Sequence, residues 1–267
     1  MDEYRKQMLS DRHLKYIVDF SLSSDCFPGV DIAGGVSYFC WDSSYQGDCF
    51  YTHYDGGVKN SCYRKLDEYE IFVRDNRALS ILKKVQKKTE KSVAEIMSSL
   101  GPFGLGTACR GQDKSSPSCY RLRSSAGYSY IEKKQVITGQ NFIDKWNVII
   151  GKATSAGAAT PGKDGKRKVI ATIETIEPQT VCTFSYFIGG SFKSFEEAEN
   201  YREYLSTKFS RFLLLQALSS INLSKERFIF VPMQDFSQKW DDEKLCAKYG
   251  LSDDEIAFID SMIRPME

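Results

Sequence analysis

The feature that most constrains the fold is a hairpin punctuated by glycine. Segments 49–54 and 58–63 are rich in aromatic and β-branched residues, and Asp55-Gly56-Gly57 stands between them. Asp-Gly is a strong hairpin signal, because both central turn positions need positive φ. The chain on either side reads the same way. Segment 13–20 has strand composition, and a polar loop over 21–33 holds Phe27-Pro28-Gly29. Segment 34–41 then reads as a second, well-buried strand and 69–74 as another short one. The first 75 residues are therefore expected to form a strand-rich unit joined by tight connections.

Helical periodicity begins where that pattern stops. Asp75 is suited to cap a helix running to about Leu100, with Leu82, Val85, Val93, Ile96 and Leu100 on one stripe. Lys83, Lys84, Lys87, Lys88 and Lys91 gather on another face. The Gly/Ser/Pro-rich stretch 101–118 reads as a connector and marks the expected domain boundary. Gly104-x-Gly106 within it lacks the lysine and the strand-to-helix setting of a phosphate loop. Strands are expected over 128–138 and 146–150, and 168–176 is expected to pair with 181–188. Ser194-x-x-Glu197 opens a helix to about Leu218, and 227–231 reads as a short strand stopped by Pro232. Ser252-x-x-Glu255 caps a last helix to about Ile263. The expected fold class is mixed α/β (α+β), with residues 1–75, a connecting helix over 76–100, and a second domain over 101–267.

Composition narrows the functional classes. At 267 residues, 42% hydrophobic and 27% charged, the chain is an ordinary globular sequence with a sizeable core. Its longest apolar runs, such as Phe212-Leu213-Leu214-Leu215, are too short to cross a bilayer. Arg5, Lys6, Arg12 and Lys15 precede no signal-type apolar stretch, so a cytoplasmic location is expected. Eight cysteines include no Cys-x-x-Cys pair, and His13 and His53 are the only histidines, which favours reduced thiols and gives no metal-site spacing. The net charge of +1 hides a segregation. Residues 59–168 carry 22 basic and 10 acidic side chains, net +12, against 14 and 25 elsewhere, net −11. A basic centre suits a polyanion, and nucleic acid is the partner it favours. Its most basic loop, 151–168, has five Lys/Arg against Asp164 alone.

Enzyme signatures are missing. There is no Gly-x-Ser-x-Gly elbow and no Gly-x-x-x-x-Gly-Lys-Ser/Thr loop. Asp241-Asp242-Glu243-Lys244 has the residue types of a Mg²⁺-dependent nuclease, but consecutive residues at a helix start point different ways. Acids there are also favoured by the helix dipole.

Three stretches carry a resemblance. The first, 2–42, includes DRHLKYIVDF and SSDCFPGVDIAGGVSYFCWD; the second is PFGLGT at 102–107. The third, 182–266, includes SYFIGGSFKSFEEAENYREYLSTKFSRFLL, FVPMQDF and KYGLSDDEIAFIDSMIRPM. Together they resemble the C-terminal half of bacterial restriction–modification DNA adenine-N6 methyltransferases. That family's S-adenosylmethionine-binding glycine motif and its Asn-Pro-Pro-Tyr catalytic motif are not in this sequence, and family order would put both before Met1. The resemblance thus implies the last strands of a methyltransferase domain followed by a target recognition domain. It implies no cofactor on this chain, S-adenosylmethionine on the parent enzyme, and double-stranded DNA and a catalytic half as partners. Phe27 of Cys26-Phe27-Pro28-Gly29 matches the phenylalanine that stacks on the flipped adenine. By charge and loop-like composition, Lys152, Thr154, Ser155, Lys163, Lys166, Arg167 and Lys168 are the expected DNA contacts, with Lys83 and Lys87 as further phosphate contacts. The rival expectations are a stand-alone Mg²⁺-dependent nuclease and a protein-interaction subunit.

Overall fold

The computed structural model describes residues 2–30, 32, 34–89, 91–153, 161–218 and 222–266. The fold is mixed α/β, and the chain divides into two compact units, Met1–Lys83 and Lys84–Glu267. The division falls inside a helix, ahead of the glycine-rich 101–118 segment that sequence marks as the boundary.

Unit 1 opens with helix α1 (Asp2–Ser10), followed by strands β1 (Leu14–Phe20), β2 (Val36–Trp41), β3 (Cys49–Asp55) and β4 (Val58–Arg64). They form one sheet in the order β2-β1-β3-β4, with β1 parallel to β3 and antiparallel to β2. Asp55 pairs with Val58, so Gly56 (φ 59°) and Gly57 (φ 78°) are the two turn residues. Positive φ at both makes a type I′ turn, whose twist matches that of the strands. On one face Leu14, Cys49 and Tyr51 pack with Leu66, Leu9, Ile17 and Phe72. Side chains of paired residues share a face, so the opposite one carries Tyr16, Phe50 and Tyr63 in one row and Phe20, Tyr54 and Lys59 in another.

Two expectations for unit 1 are corrected. Strand β2 is not well buried, since Ser37 through Trp41 are all exposed. It is an edge strand with a neighbour on one side only. The strand expected over 69–74 does not form. There the Val73 carbonyl is taken by the Arg64 guanidinium at 2.9 Å instead of by a neighbouring strand.

Helix α2 (Ala78–Lys88) crosses into unit 2 and is shorter than the expected 75–100. Beyond it Ser92 starts a separate 3₁₀ turn, Val93–Ile96, with a capping box to Glu95. The backbone here is held from elsewhere: Val93 N–H donates to Val231 and Met233 N–H to Lys91. An α-helix would need those groups for itself.

Unit 2 continues with β5 (Cys119–Ser124), β6 (Gly127–Glu132), the short helix α3 (Gln140–Ile143), β7 (Trp146–Gly151), β8 (Ile173–Ile176), β9 (Thr180–Cys182) and β10 (Tyr186–Phe192). They form two sheets, β6-β5-β9 and β10-β7-β8. The expected pairing of 168–176 with 181–188 is replaced: β8 and β10 flank β7, and β9 runs parallel to β5. The 101–118 segment is part of this unit. Phe103 and Leu105 of PFGLGT are buried among Leu122, Ile149, Val181 and Ile188. Gly101 (φ 69°) permits the turn, and a Cβ on it would lie 2.5 Å from the Phe184 ring.

The remaining helices are α4 (Phe195–Ser206), α5 (Lys208–Gln216), α6 (Asp242–Tyr249) and α7 (Asp253–Met262). The helix expected over 194–218 breaks at Thr207, whose extended backbone (ψ 153°) ends α4 and whose hydroxyl caps α5. The strand expected over 227–231 is instead a 3₁₀ turn, Lys225–Phe228. The Asp241-Asp242 pair is also spoken for. Asp241 caps α6, and Asp242 accepts from the Lys208 and Phe209 N–H groups at 3.1 and 2.8 Å. No described helix is long and apolar enough to cross a membrane. Asp242→Ala is expected to lower stability by about 1 kcal/mol in urea unfolding, because it removes the acceptor of two N–H groups in the first turn of α5.

Candidate nucleic-acid interface

In unit 1, the loop after β1 is built to hold Phe27 outward. A 3₁₀ turn, Ser23–Asp25, starts it, and Phe27 N–H donates to the Ser23 carbonyl at 2.8 Å. The Ser23 side chain is buried and works in both directions. Its hydroxyl donates to the Val30 carbonyl at 2.7 Å and accepts from Ile32 N–H at 2.8 Å. Asp25 accepts from Gly57 N–H at 3.2 Å, which ties the loop to the hairpin turn. Phe27 itself is 52% exposed, far above what a core ring shows.

The stem of this loop rests on a charge pair. Arg74 meets both carboxylate oxygens of Asp19 at 2.7 Å, and also donates to the Phe20 carbonyl at 3.1 Å and the Gly34 carbonyl at 3.3 Å. Tyr51 donates to the same carboxylate at 2.7 Å. Gly35 (φ 80°) passes so close that a Cβ would lie 2.0 Å from the Phe20 oxygen. Beside it, Ser21 Oγ and the buried His53 Nε2 share a hydrogen bond of 2.8 Å.

Burial pushes the His53 pKa below its ordinary 6.5, and Asp75 and Asp19 offset this only in part. The neutral ring is therefore the folded form. Its stabilisation is complete above pH 6.5, the unfolded value, and is lost as pH falls through the depressed folded value. Urea midpoints of the wild type are expected to fall as the pH drops below 6.5, before carboxylates titrate. In His53→Gln that component should disappear; an unchanged profile would contradict it.

Unit 2 carries the basic segment. Lys152 ends up at the end of β7, its N–H on the Ser185 carbonyl and its ammonium 4.3 Å from the Phe184 ring centre. Lys163 is exposed in a tight turn in which Gly165 N–H donates to Gly162. An Asp164–Arg264 ion pair at 2.8 Å fixes that turn. Lys166 is half-buried and Lys168 exposed. Thr154 and Ser155 lie outside the described residues. Lys83 and Lys87 are exposed one helical turn apart on α2. Their neighbours are taken, Lys84 by Glu255 at 2.5 Å and Lys88 by the Lys248 carbonyl at 2.6 Å.

One expected DNA-binding residue is corrected. Arg167 is only 5% exposed. Its backbone pairs with the segment after α7, Arg167 N–H to Met262 at 2.8 Å and Arg264 N–H to Arg167 at 3.0 Å, which turns the side chain inward toward Met262. Arg211 is likewise buried, donating to the carbonyls of Ser206 and Lys168, and desolvation pushes its pKa down to about 10.

Sequence reading missed a second arginine site. Along β5, Arg121 and Arg123 alternate with the buried Leu122 and so leave the same face. Arg123 is locked to Glu174, and Arg121 meets Glu177 at 2.6 Å on the rim of a cleft shared with Tyr128 and Trp146. The Tyr-Arg-Leu-Arg alternation at 120–123 is the signal in the sequence that points to it. Among the described residues no group of three or more His, Cys, Asp or Glu side chains could hold a metal ion. No protein-family model matches the chain, and no curated protein matches it significantly.

Proposed function

We propose that this chain recognises double-stranded DNA for an adenine-N6 methyltransferase of a restriction–modification system, with catalysis supplied by another half. The observation that carries the reading is Phe27, a ring 52% exposed on a loop whose stem is pinned by Ser23, Asp19 and Arg74. An exposed aromatic costs solubility unless something stacks on it, and a base turned out of the duplex presents a suitable flat face. Lys152, Lys163, Lys166 and Lys168 supply cations for phosphates, which hold register without reading sequence. Lys83 and Lys87 offer two more.

This reading places S-adenosylmethionine on the catalytic half and not on this chain. The glycine and Asn-Pro-Pro-Tyr motifs are not in the sequence, and β1 leads into the Phe27 loop through a three-residue 3₁₀ turn, not through a glycine turn into a helix. No methyl-transfer step is therefore derived on this chain. The methyl donor belongs to the catalytic half in this proposal. The unpaired edge of β2 and the exposed rings of Tyr16, Tyr38 and Tyr63 favour such a protein partner on unit 1. An edge strand invites pairing unless charge or proline blunts it, and Val36–Trp41 contains neither.

Two measurements test the reading. Fluorescence anisotropy with duplex DNA at several salt concentrations should give affinity that falls steeply with salt. Replacing Lys163 and Lys168 by alanine should lower the magnitude of the slope by about 2, roughly 0.9 for each phosphate no longer neutralised. A duplex carrying one unpaired 2-aminopurine should have its emission quenched by the wild type and not by Phe27→Ala. Stacking of one base is worth about 1–3 kcal/mol, so that variant should also bind the probe about tenfold more weakly. Salt-independent association, or quenching that survives without Phe27, would remove the proposal.

A further inference from the structure

The two arginines of β5 share a face but differ in how many donors remain. Arg123 spends its guanidinium internally. Nε and Nη2 meet the two oxygens of Glu174, and Nη1 donates to the Ser124 carbonyl. Arg121 makes one side-chain bond, Nη1 to Glu177 at 2.6 Å. Its Cζ lies over the Tyr128 ring, 4.1 Å from the ring centre. The side chain remains 43% exposed. A guanidinium bonded at Nη1 to a carboxylate and set beside an aromatic ring is biased toward one orientation. It still presents the parallel N–H groups of Nε and Nη2 as a fork.

The setting restricts what that fork can take. Arg121 opens on a cleft of about 180 Å³ whose other walls are Tyr128, Trp146, Thr175, Ile176, Glu177 and Thr180. The Thr180 hydroxyl there is buried and has no hydrogen-bond partner. The carboxylate of Glu177 beside the guanidinium repels a second anion, so a phosphate is a poor occupant. Two neutral acceptors side by side suit the fork better. In a duplex the major-groove edge of guanine, with O6 and N7, offers that pair.

We propose that Arg121 is a specificity-determining residue that reads one guanine in the DNA target, with Glu177 and Tyr128 as its positioning residues. The inference rests on the DNA-recognition reading above. It assigns Arg121 to base edges and leaves phosphate binding to the exposed lysines. Removing Arg121 should therefore change which sequence is bound more than it changes the dependence on salt.

The test uses the full chain. Duplexes selected from a random-sequence pool at low salt are sequenced for the wild type, Arg121→Ala and Arg121→Lys, with urea unfolding to establish that each variant is folded. The wild type is expected to select a site with one invariant guanine. Both variants should lose the preference at that position by about tenfold or more, since lysine keeps the charge but not the fork. The slope of log affinity against log salt should stay unchanged in Arg121→Ala. Retention of the guanine preference, or a slope reduced by about one with the preference intact, would overturn the inference while leaving DNA recognition standing. Failure of the wild type to bind any duplex at low salt would overturn both.

Discussion

A guanidinium removed from water must find acceptors for its donors, and this demand shapes both units. In unit 1, Arg74 gathers the Asp19 carboxylate and two backbone carbonyls, and so fixes where β1 ends and where the following loop returns. Arg64, also buried, meets the demand only in part: Nη1 takes the Val73 carbonyl and the Asn76 side chain, while Nε and Nη2 find no acceptor among the described residues and the guanidinium lies near the Tyr51 and Phe72 rings. That leaves 69–74 irregular. In unit 2, Arg211 bridges the α4–α5 break to the Lys168 carbonyl, and Arg123 fastens β5 to Glu174 of β8. Each arginine therefore acts as a brace between segments distant in sequence. Deleting one partner of such a pair leaves the other buried without compensation, which costs more than the pair itself contributes.

The same braces change how the charge segregation is understood. A net +12 over residues 59–168 suggests a continuous basic surface, but many of those cations are already engaged. Arg64 and Arg167 are buried, Arg74 and Arg123 are paired with carboxylates distant in sequence, and Lys84 and Lys88 are held by the C-terminal helices. What remains for a polyanion is a smaller set dominated by exposed lysines such as Lys87, Lys163 and Lys168. Within this segment lysines mostly solvate their charge and arginines mostly build. That division follows from chemistry, since a planar fork binds fixed acceptors and a strongly hydrated ammonium prefers water.

Unit 1 combines two features that point outward. Its sheet buries one face beneath Leu66 and Phe72 while Tyr16, Tyr38 and Tyr63 remain exposed. The loop carrying Phe27 is ordered by side chains that are themselves buried, notably Ser23 and His53. Rigid presentation of an apolar ring is an unfavourable arrangement for an isolated unit.

The sequence by itself determined the local devices. The Gly56-Gly57 turn, the caps at Ser194 and Ser252, the strands around 14–20 and 146–151, and the mixed fold class follow from short-range rules of φ, capping and periodicity. The loop holding Phe27 was legible as a polar connection between two strands, but the exposure of its ring was not. Tertiary structure alone decided the rest. Val36–Trp41 has buried composition yet lies at an edge, because strand order is set by pairing between distant segments. One basic run placed Arg167 inside and Lys168 outside, because the pairing of residue 167 with the end of α7 fixes which side chain turns inward. Arg121 and Glu177 meet because β9 aligns beside β5, which joins residues 56 positions apart. Composition and spacing report on neighbours along the chain, and these decisions depend on neighbours in space.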